Sequence, residues 1–434
     1  MGTQPGIKPV IAAAVLANAM EWFDFTIFAA MTPIISKLFF PATHGTAGAD
    51  LNAILLTTAL FGAGFFMRPV GGVLLGLYGD TYGRKAAMTL GMGIMALAAA
   101  IMTFAPTYAT AGLAAPLLML VARLLQGFSI GGEFGTSTAF LIELAPPNRS
   151  GFYGSWQMSG QLMSTMLGAA LGMVVTQAFT PEQQLAGAWR IPFAVGLLIA
   201  PLTVYLRRHA RETYARIHAA PRTPGAEAAA VKRGLSDYLI GMGMVVASTV
   251  SFYVTFGYTV TYAKQVLKLP VSESFMVQMI AAGVMLIVTP IAGALSDRYD
   301  RKTLLVASLG AYLVAIYPLY AWVVAAPSVS RLLVTQIVIG VLSATFLGVY
   351  CTTLAEMFPK RSRATSLAVV NNVVVLIFGG FAQTFVTWLI ALTGSPLAPV
   401  LYVMIGVALS LVAVVALKPG HFRQRSANPV QSAG

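Results

Sequence analysis

The stretch Gly76-Leu77-Tyr78-Gly79-Asp80-Thr81-Tyr82-Gly83-Arg84-Lys85 returns in kind, half the chain away, as Gly293-Ala294-Leu295-Ser296-Asp297-Arg298-Tyr299-Asp300-Arg301-Lys302. Each copy follows a long apolar run and precedes another, so each is the hinge of a helix pair. An acid followed four residues later by a base stands in the same order in both. A repeat on this scale makes the chain two related bundles.

Composition names the solvent. With 57% hydrophobic and 9% charged residues, the chain cannot cover a water-soluble surface and is predicted to lie in a bilayer. Twelve apolar runs recur, at 10–36, 52–78, 86–105, 115–141, 152–178, 188–206, 236–263, 273–296, 303–325, 331–357, 364–392 and 397–417. About 20 helical residues span the hydrocarbon. Backbone groups in lipid must be bonded within their own segment, and these runs are too long for barrel strands, so all twelve are predicted as helices. The expected fold is an all-α integral membrane protein: twelve transmembrane helices in two six-helix bundles related by a pseudo-twofold axis. The expected domains are a bundle over 1–206, a polar cytoplasmic linker over 207–234, a second bundle over 235–417 and a cytoplasmic tail over 418–434.

The net charge of +13 is topological rather than a nucleic-acid signal. With both termini inside, the cytoplasmic segments carry Lys8, Arg84, Lys85, Arg149, a cluster from Arg207 to Arg233, Arg298, Arg301, Lys302, Lys360, Arg361, Arg363, Lys418, Arg423 and Arg425. The outer loops hold Lys37, Lys264, Lys268 and Arg331. The positive-inside rule therefore predicts a multi-pass protein of the inner cell membrane with cytoplasmic termini. Glu21 and Asp24 interrupt the first run and no small-residue cleavage site follows it, so helix 1 is expected to be retained. The single Cys351 excludes an internal disulfide. His44, His209, His218 and His421 fall in loops or the tail, and no Gly-x-x-x-x-Gly-Lys-Ser/Thr string occurs. Neither a metal nor any other cofactor is expected. No nucleophile stands with a base, so an intramembrane enzyme is not the expectation, and the short tail argues against a sensor.

An ionised side chain at bilayer depth costs about 3 kcal/mol or more unless paired or hydrated. Six such groups lie inside or at the ends of spans: Glu21, Asp24, Arg68, Arg123, Glu133 and Arg190. Counting depth from the helix ends places Asp24 and Arg123 near mid-membrane, with Arg68 and Glu133 nearer the cytoplasm. Two pairs are predicted, Asp24 with Arg123 and Arg68 with Glu133. The first has the form of a proton switch: a substrate anion that draws the arginine away leaves the carboxyl to take a proton. Glu21, three residues before Asp24 on nearly the same face, competes for that role. The alternative for both pairs is that they only hold helices 1, 2 and 4 together.

Gln157 and Gln161 on helix 5, Tyr253, Tyr258 and Tyr262 on helix 7, and Asn371 and Asn372 on helix 11 are candidates to line a central cavity, where an oxyanion would find them beside Arg123 or Arg68. Helix-to-helix hydrogen bonding is the alternative for each. At the cytoplasmic helix ends, Asp80, Arg84, Glu143 and Arg149 are mirrored by Asp297, Arg301, Glu356 and Arg363, and ion pairs among them are expected to lock an inner gate. Gly127, Gly131 and Gly135 recur every four residues on helix 4, making a smooth face for another helix.

The repeated Asp-x-x-Gly-Arg-Lys loop and the twelve-helix plan resemble the major facilitator superfamily. Asn18-Ala19-Met20-Glu21-Trp22-Phe23-Asp24-Phe25, Phe66-Met67-Arg68-Pro69-Val70-Gly71-Gly72, Arg123-Leu124-Leu125-Gln126-Gly127 with Gly131-Gly132-Glu133, Gly151-Phe152-Tyr153-Gly154-Ser155-Trp156-Gln157 and Trp189-Arg190-Ile191-Pro192-Phe193 together resemble its metabolite:proton symporter family. Leu113-Ala114-Ala115-Pro116 and the helix 4 and 5 strings look closest to carriers of citrate, tricarballylate and α-ketoglutarate. Thr81 and Asp300 depart from the loop pattern, where a basic residue and a glycine are usual. The Gly-Pro string of antiporter branches is missing from Gly168-Ala169-Ala170-Leu171-Gly172.

The resemblance implies proton-coupled uptake of a small organic acid by rocking of two bundles. It extends the proton-switch role to Asp24 and Arg123, and the gating role to the two loops. It also leaves room for a zwitterion of betaine or proline type, with Glu21 binding the ammonium group, and for an uncoupled carrier. The expected partners are the carboxylate, protons and the bilayer, without nucleic acid, and a monomer is expected to suffice.

Overall fold

The computed structural model describes residues 7–40, 49–210 and 226–418. The middle of the expected linker, the tail beyond Lys418, and His44, His218 and His421 lie outside the described residues. In chain order the long helices are α1 (Ile7–Phe39), α2 (Ala49–Tyr82), α3 (Arg84–Phe104), α4 (Ala114–Glu143), α5 (Ser150–Ala178), α6 (Arg190–His209), α7 (Ala226–Val250), α8 (Val271–Ser296), α9 (Arg301–Ala325), α10 (Val329–Met357), α11 (Arg363–Phe378) and α12 (Ala398–Val415). No strand occurs among the described residues. Eleven segments among them are long and apolar enough to cross a membrane, and α2, at 34 residues, stands where the second span was expected. Helix α7 begins at Ala226, inside the stretch expected as linker.

Two hydrophobic cores divide the molecule. One draws mainly on α1 to α6, with Phe23, Met95 and Met119, and the other mainly on α7 to α12, with Val250, Met285, Tyr312 and Val403; Phe134, Met158 and Leu162 of the first half join the second core. Large apolar side chains such as Phe104, Val314 and Val412 stay exposed, as lipid-facing positions should where the solvent is hydrocarbon. The halves meet where α2 packs on α11, α5 on α8, α4 on α11 and α5 on α10.

Glycine sets how closely these helices approach. Gly127 and Gly131 lie against the backbone of Gly64 and Arg68 on α2, and Gly135 against the backbone of Ala364 on α11. The expected smooth face of α4 thus serves two neighbours. Two helices are interrupted at mid-height. A π-helical turn, Ser251–Phe256, follows α7, and α11 breaks at Gly379 and Gly380 before resuming as Ala382–Thr393. Local irregularity of this kind is tolerated in a membrane where it is buried in protein or lines a cavity. A Cβ on Gly379 would sit 2.9 Å from the Tyr253 ring, so the break and the turn fit only around a glycine.

Candidate functional site

The interruptions border a cavity of about 200 Å³ between the two halves. Its walls are aromatic: Trp22 and Phe65 from the first half, and Phe252, Tyr253, Phe256 and Phe381 from the second. Polar groups come from Thr26, Thr165, Gln278, Gln383 and Thr384, and no charged side chain among the described residues lines it. Arg68, fully buried, stands behind this wall. Its guanidinium donates to the Tyr253 hydroxyl at 3.0 Å and lies over the rings of Trp22 at 5.0 Å and Phe65 at 5.4 Å. A cation from one half is therefore held by a phenol of the other, one side chain away from the cavity.

The expected Arg68–Glu133 pair is not formed. Glu133 Oε1 instead accepts from Asn18 Nδ2 at 2.5 Å, and both its oxygens face Gln157 Nε2, at 3.3 and 3.4 Å. Gly131 is the α4 residue that meets the Arg68 backbone. Two residues farther along, Glu133 has turned about 200° around the helix axis, toward α1 and α5. Residues that count to the same depth along their helices need not share a face.

Asp24 and Arg123 are both fully buried, yet they do not meet in a hydrogen bond either. Arg123 donates to Gln126 Oε1 at 2.7 Å and lies over the Phe28 ring at 4.2 Å, while Asp24 packs against Gly196 of α6 with no hydrogen-bond partner for either oxygen. Gln126, three residues along the same helix, is a local acceptor that reaches the guanidinium without help from α1. Arg190 donates to the Ala105 carbonyl at 2.9 Å, closing the end of α3.

Of the amides and phenols expected at the cavity, Tyr253 alone is among its lining residues. The hydroxyls of Tyr258 and Thr387 bond at 2.7 Å, and Tyr262 donates to the Pro396 carbonyl at 2.8 Å. Asn372 donates to the Gly131 carbonyl at 2.6 Å, joining α11 to α4. Gln157 serves Glu133 and accepts from Ser137. Gln161 and Asn371 are buried away from the cavity walls. The side chains that do form the walls, Trp22, Phe65, Phe252, Phe256 and Phe381, carry no charge to flag them. The signal that marks them is the Gly379-Gly380-Phe381 interruption of an apolar run.

A second, smaller cavity of about 10 Å³ lies between α1, α2, α3 and α4, lined by Asn18, Glu21, Leu75, Met88, Gly91, Glu133 and Thr136 among others. Glu21 therefore faces Glu133 across this space rather than the central cavity, which removes it as an ammonium ligand there.

At the helix ends that carry the repeated loops, the repeat becomes an interlocked pair of clamps. Asp80 accepts from the amides of Ala364 at 3.2 Å and Thr365 at 2.9 Å, and Asp297 accepts from those of Gly151 at 2.7 Å and Phe152 at 2.9 Å. Each acid thus caps the first turn of a helix in the opposite half, where exposed N–H groups and the helix dipole favour an anion. Arg84 pairs with Asp80 and, at 3.5 Å, with Glu143, which Arg363 of the other half meets at 3.4 Å. Arg301 pairs with Asp297 at 3.7 Å and Glu356 at 2.6 Å. Arg149 is the exception. It is exposed, and Ser150 takes the place expected for it, donating to Glu356 at 3.2 Å and accepting from Arg301 at 3.0 Å. Since Asp80 caps Ala364 and Asp297 caps Gly151, the residue mirroring Arg363 is Ser150, and the sequence pairing was out of register by one. These contacts tie the two halves together at this end of the molecule.

Residues 10–220 match the profile of the sugar (and other) transporter family, and residues 276–433 that of the Major Facilitator Superfamily. The chain is similar to a citrate-proton symporter of Klebsiella pneumoniae, at 35% identity over 88% of this chain and 85% of that protein. It is also similar to a proline/betaine transporter of Escherichia coli K12, at 30% identity over 95% and 83% of the two chains. Among solved structures, a proton:xylose symporter, XylE, bound to 6-bromo-6-deoxy-D-glucose shares the fold, with a TM-score of 0.76 and 16% identity over 93% and 94%. With its two bundles, interlocked repeat loops and these relatives, the chain belongs to the major facilitator superfamily, among its proton-coupled symporters.

Proposed function

We propose that the chain imports a small organic acid of citrate type together with protons, by alternating access about the aromatic cavity, as a monomer in the inner membrane with both termini in the cytoplasm. The observation that carries this reading is Arg68. A substrate carboxylate entering the cavity can take the guanidinium from Tyr253, exchanging a neutral acceptor for a charged and bidentate one. Arg123 and Asp24 serve as the proton switch, buried without a direct hydrogen bond between them while the clamps are engaged. The clamps of Asp80 and Asp297 hold that face shut until the loaded carrier rearranges. The similarity to citrate-proton symporters supports the substrate class.

One observation favours a second reading. Six aromatic rings with no charge among them suit a quaternary ammonium group, which binds over ring faces, while Arg68 receives the carboxylate of the same zwitterion. The relatives include a proline/betaine transporter. Uptake into proteoliposomes under an imposed inward proton gradient, with labelled citrate, α-ketoglutarate, shikimate and glycine betaine, separates the readings. Citrate-type accumulation that a protonophore abolishes supports the first, and accumulation of betaine alone replaces it with the second. Uptake indifferent to the gradient would discard the proton switch.

A further inference from the structure

The small cavity between α1 and α4 brings two carboxyl groups together where no cation among the described residues lines the space. Its lining is Glu21 and Asn18 from α1, Leu75 from α2, Ala87, Met88, Gly91 and Met92 from α3, and Glu133, Gly132 and Thr136 from α4. Asp24 follows one turn beyond Glu21, Gln157 approaches Glu133 from α5, and Cys351 of α10 is within electrostatic reach of Glu133. At about 10 Å³ the cavity has room for roughly one water molecule. Glu21 is 1% exposed and its Oε2 has no hydrogen-bond partner.

The hydrogen bonds distinguish the two acids. Glu133 accepts from two neutral amides, Asn18 and Gln157, an arrangement that suits an ionised carboxylate. Glu21 has only Ser129, whose Oγ lies 3.4 Å from Oε1. A hydroxyl has one hydrogen to give, and Ser129 gives it to the Gly91 carbonyl at 2.8 Å. Glu21 is therefore left with at most a long, shared hydrogen bond from Ser129, far less than the two amides give Glu133. Two carboxylates this enclosed cannot both stay ionised, and such pairs hold a single proton between them.

We infer that Glu21 and Glu133 form a second proton-binding site, holding one proton on Glu21 against ionised Glu133, apart from the Asp24 switch and from the substrate cavity. When the inner clamps part and α1 and α4 separate, the Glu21 O–H breaks and its proton passes to cytoplasmic water. The transport role rests on the proton-symport reading, and the site itself does not.

Infrared difference spectroscopy on the purified, reconstituted protein, in light and heavy water near neutral pH, tests the site without any substrate. A protonated-carboxyl carbonyl band should vanish in Glu21→Gln, shift in Glu133→Gln and persist in Asp24→Asn. Should Glu133→Gln fail to fold, Asn18→Leu removes a donor from Glu133 and should shift the same band. A band untouched by Glu21→Gln overturns the assignment. One that vanishes in Glu21→Gln but is unmoved by the Glu133 or Asn18 change overturns the shared site. Loss of the band on replacing choline chloride with sodium chloride would give the space to a metal cation and overturn the proton. In transport, Glu21→Gln should lower the proton-to-substrate ratio by one. An unchanged ratio overturns the transport role of the second site, and uptake without proton dependence in the wild type would instead overturn the symport reading.

Discussion

Asp80 holds Thr365 across the boundary between the bundles, accepting from its amide at 2.9 Å and its hydroxyl at 2.5 Å. Asp297 does the same for Gly151 and Phe152. Hydrogen bonds to a charged acceptor are worth about 1.5–3 kcal/mol each, and each 1.4 kcal/mol is tenfold in an equilibrium. Asp80→Asn should therefore shift the carrier toward an open inner face by at least roughly tenfold. The shift can be read with Ser155→Cys in a Cys351→Ser background, since Ser155 is fully buried against Gly293 at this interface. Maleimide labelling from the cytoplasmic side of inverted vesicles should accelerate in Asp80→Asn and again in Asp297→Asn. Labelling rates equal to the parent would remove the clamps from gating.

Gly131 should tolerate nothing larger than hydrogen. A Cβ there would run into the Arg68 carbonyl, so Gly131→Ala must push α2 away from α4 and strand Arg68 at the wrong height. Lower thermal stability and lost uptake are expected together. Gly93, at an exposed position of α3 where a Cβ would meet nothing within 4 Å, is the control. There alanine should be neutral or stabilising by up to about 1 kcal/mol, the cost of glycine within a helix. Equal melting temperatures for the two variants would contradict the close α2–α4 approach.

Arg68 should set affinity rather than turnover. Arg68→Ala removes a charged hydrogen bond to the substrate carboxylate, and the corresponding 1.5–3 kcal/mol is about a tenfold to hundredfold rise in KM. Arg68→Lys should recover little, because a point charge cannot replace a planar fork stacked on Trp22 and Phe65. Tyr253→Phe frees the guanidinium from its phenol and should leave KM unchanged or lower it. If Tyr253→Phe weakens binding as much as Arg68→Ala does, the phenol rather than the arginine is the ligand.

The helices and the clamps were legible because both follow from one-dimensional rules: a bilayer forces long apolar runs into helices, and a duplication repeats its charges. Asp80, Arg84 and Glu143 could be matched with Asp297, Arg301 and Glu356 by order alone. Arg149 could not, because choosing between it and Ser150 needs the helix start that Asp297 caps. The intramembrane pairs failed for a related reason. Sequence position gives a residue's height, whereas partners also depend on helix rotation, which is why Glu133 met Glu21 and Asn18 instead of Arg68. Most of the cavity walls were missed because polar and charged side chains were the signal sought, and Phe65, Phe252 and Phe381 are neither.

Asp24 lies fully buried with no hydrogen bond to either oxygen, while Arg123 is engaged by Gln126. If the two acids and this arginine divide coupling as proposed, Asp24→Asn fixes the switch in its separated arrangement. The carrier then binds and reorients with substrate but cannot complete a cycle that requires Asp24 to give up a proton. Proton-driven accumulation should be abolished while counterflow exchange, which needs no net proton release, continues at near the parental rate. Gln126→Leu acts in the opposite direction. It removes the acceptor that draws Arg123 away, so the guanidinium should turn to Asp24 and hold it ionised, and accumulation should then demand a lower external pH. Measuring accumulation and counterflow side by side in both variants separates coupling from binding. Loss of both activities in Asp24→Asn would return Asp24 to a structural role.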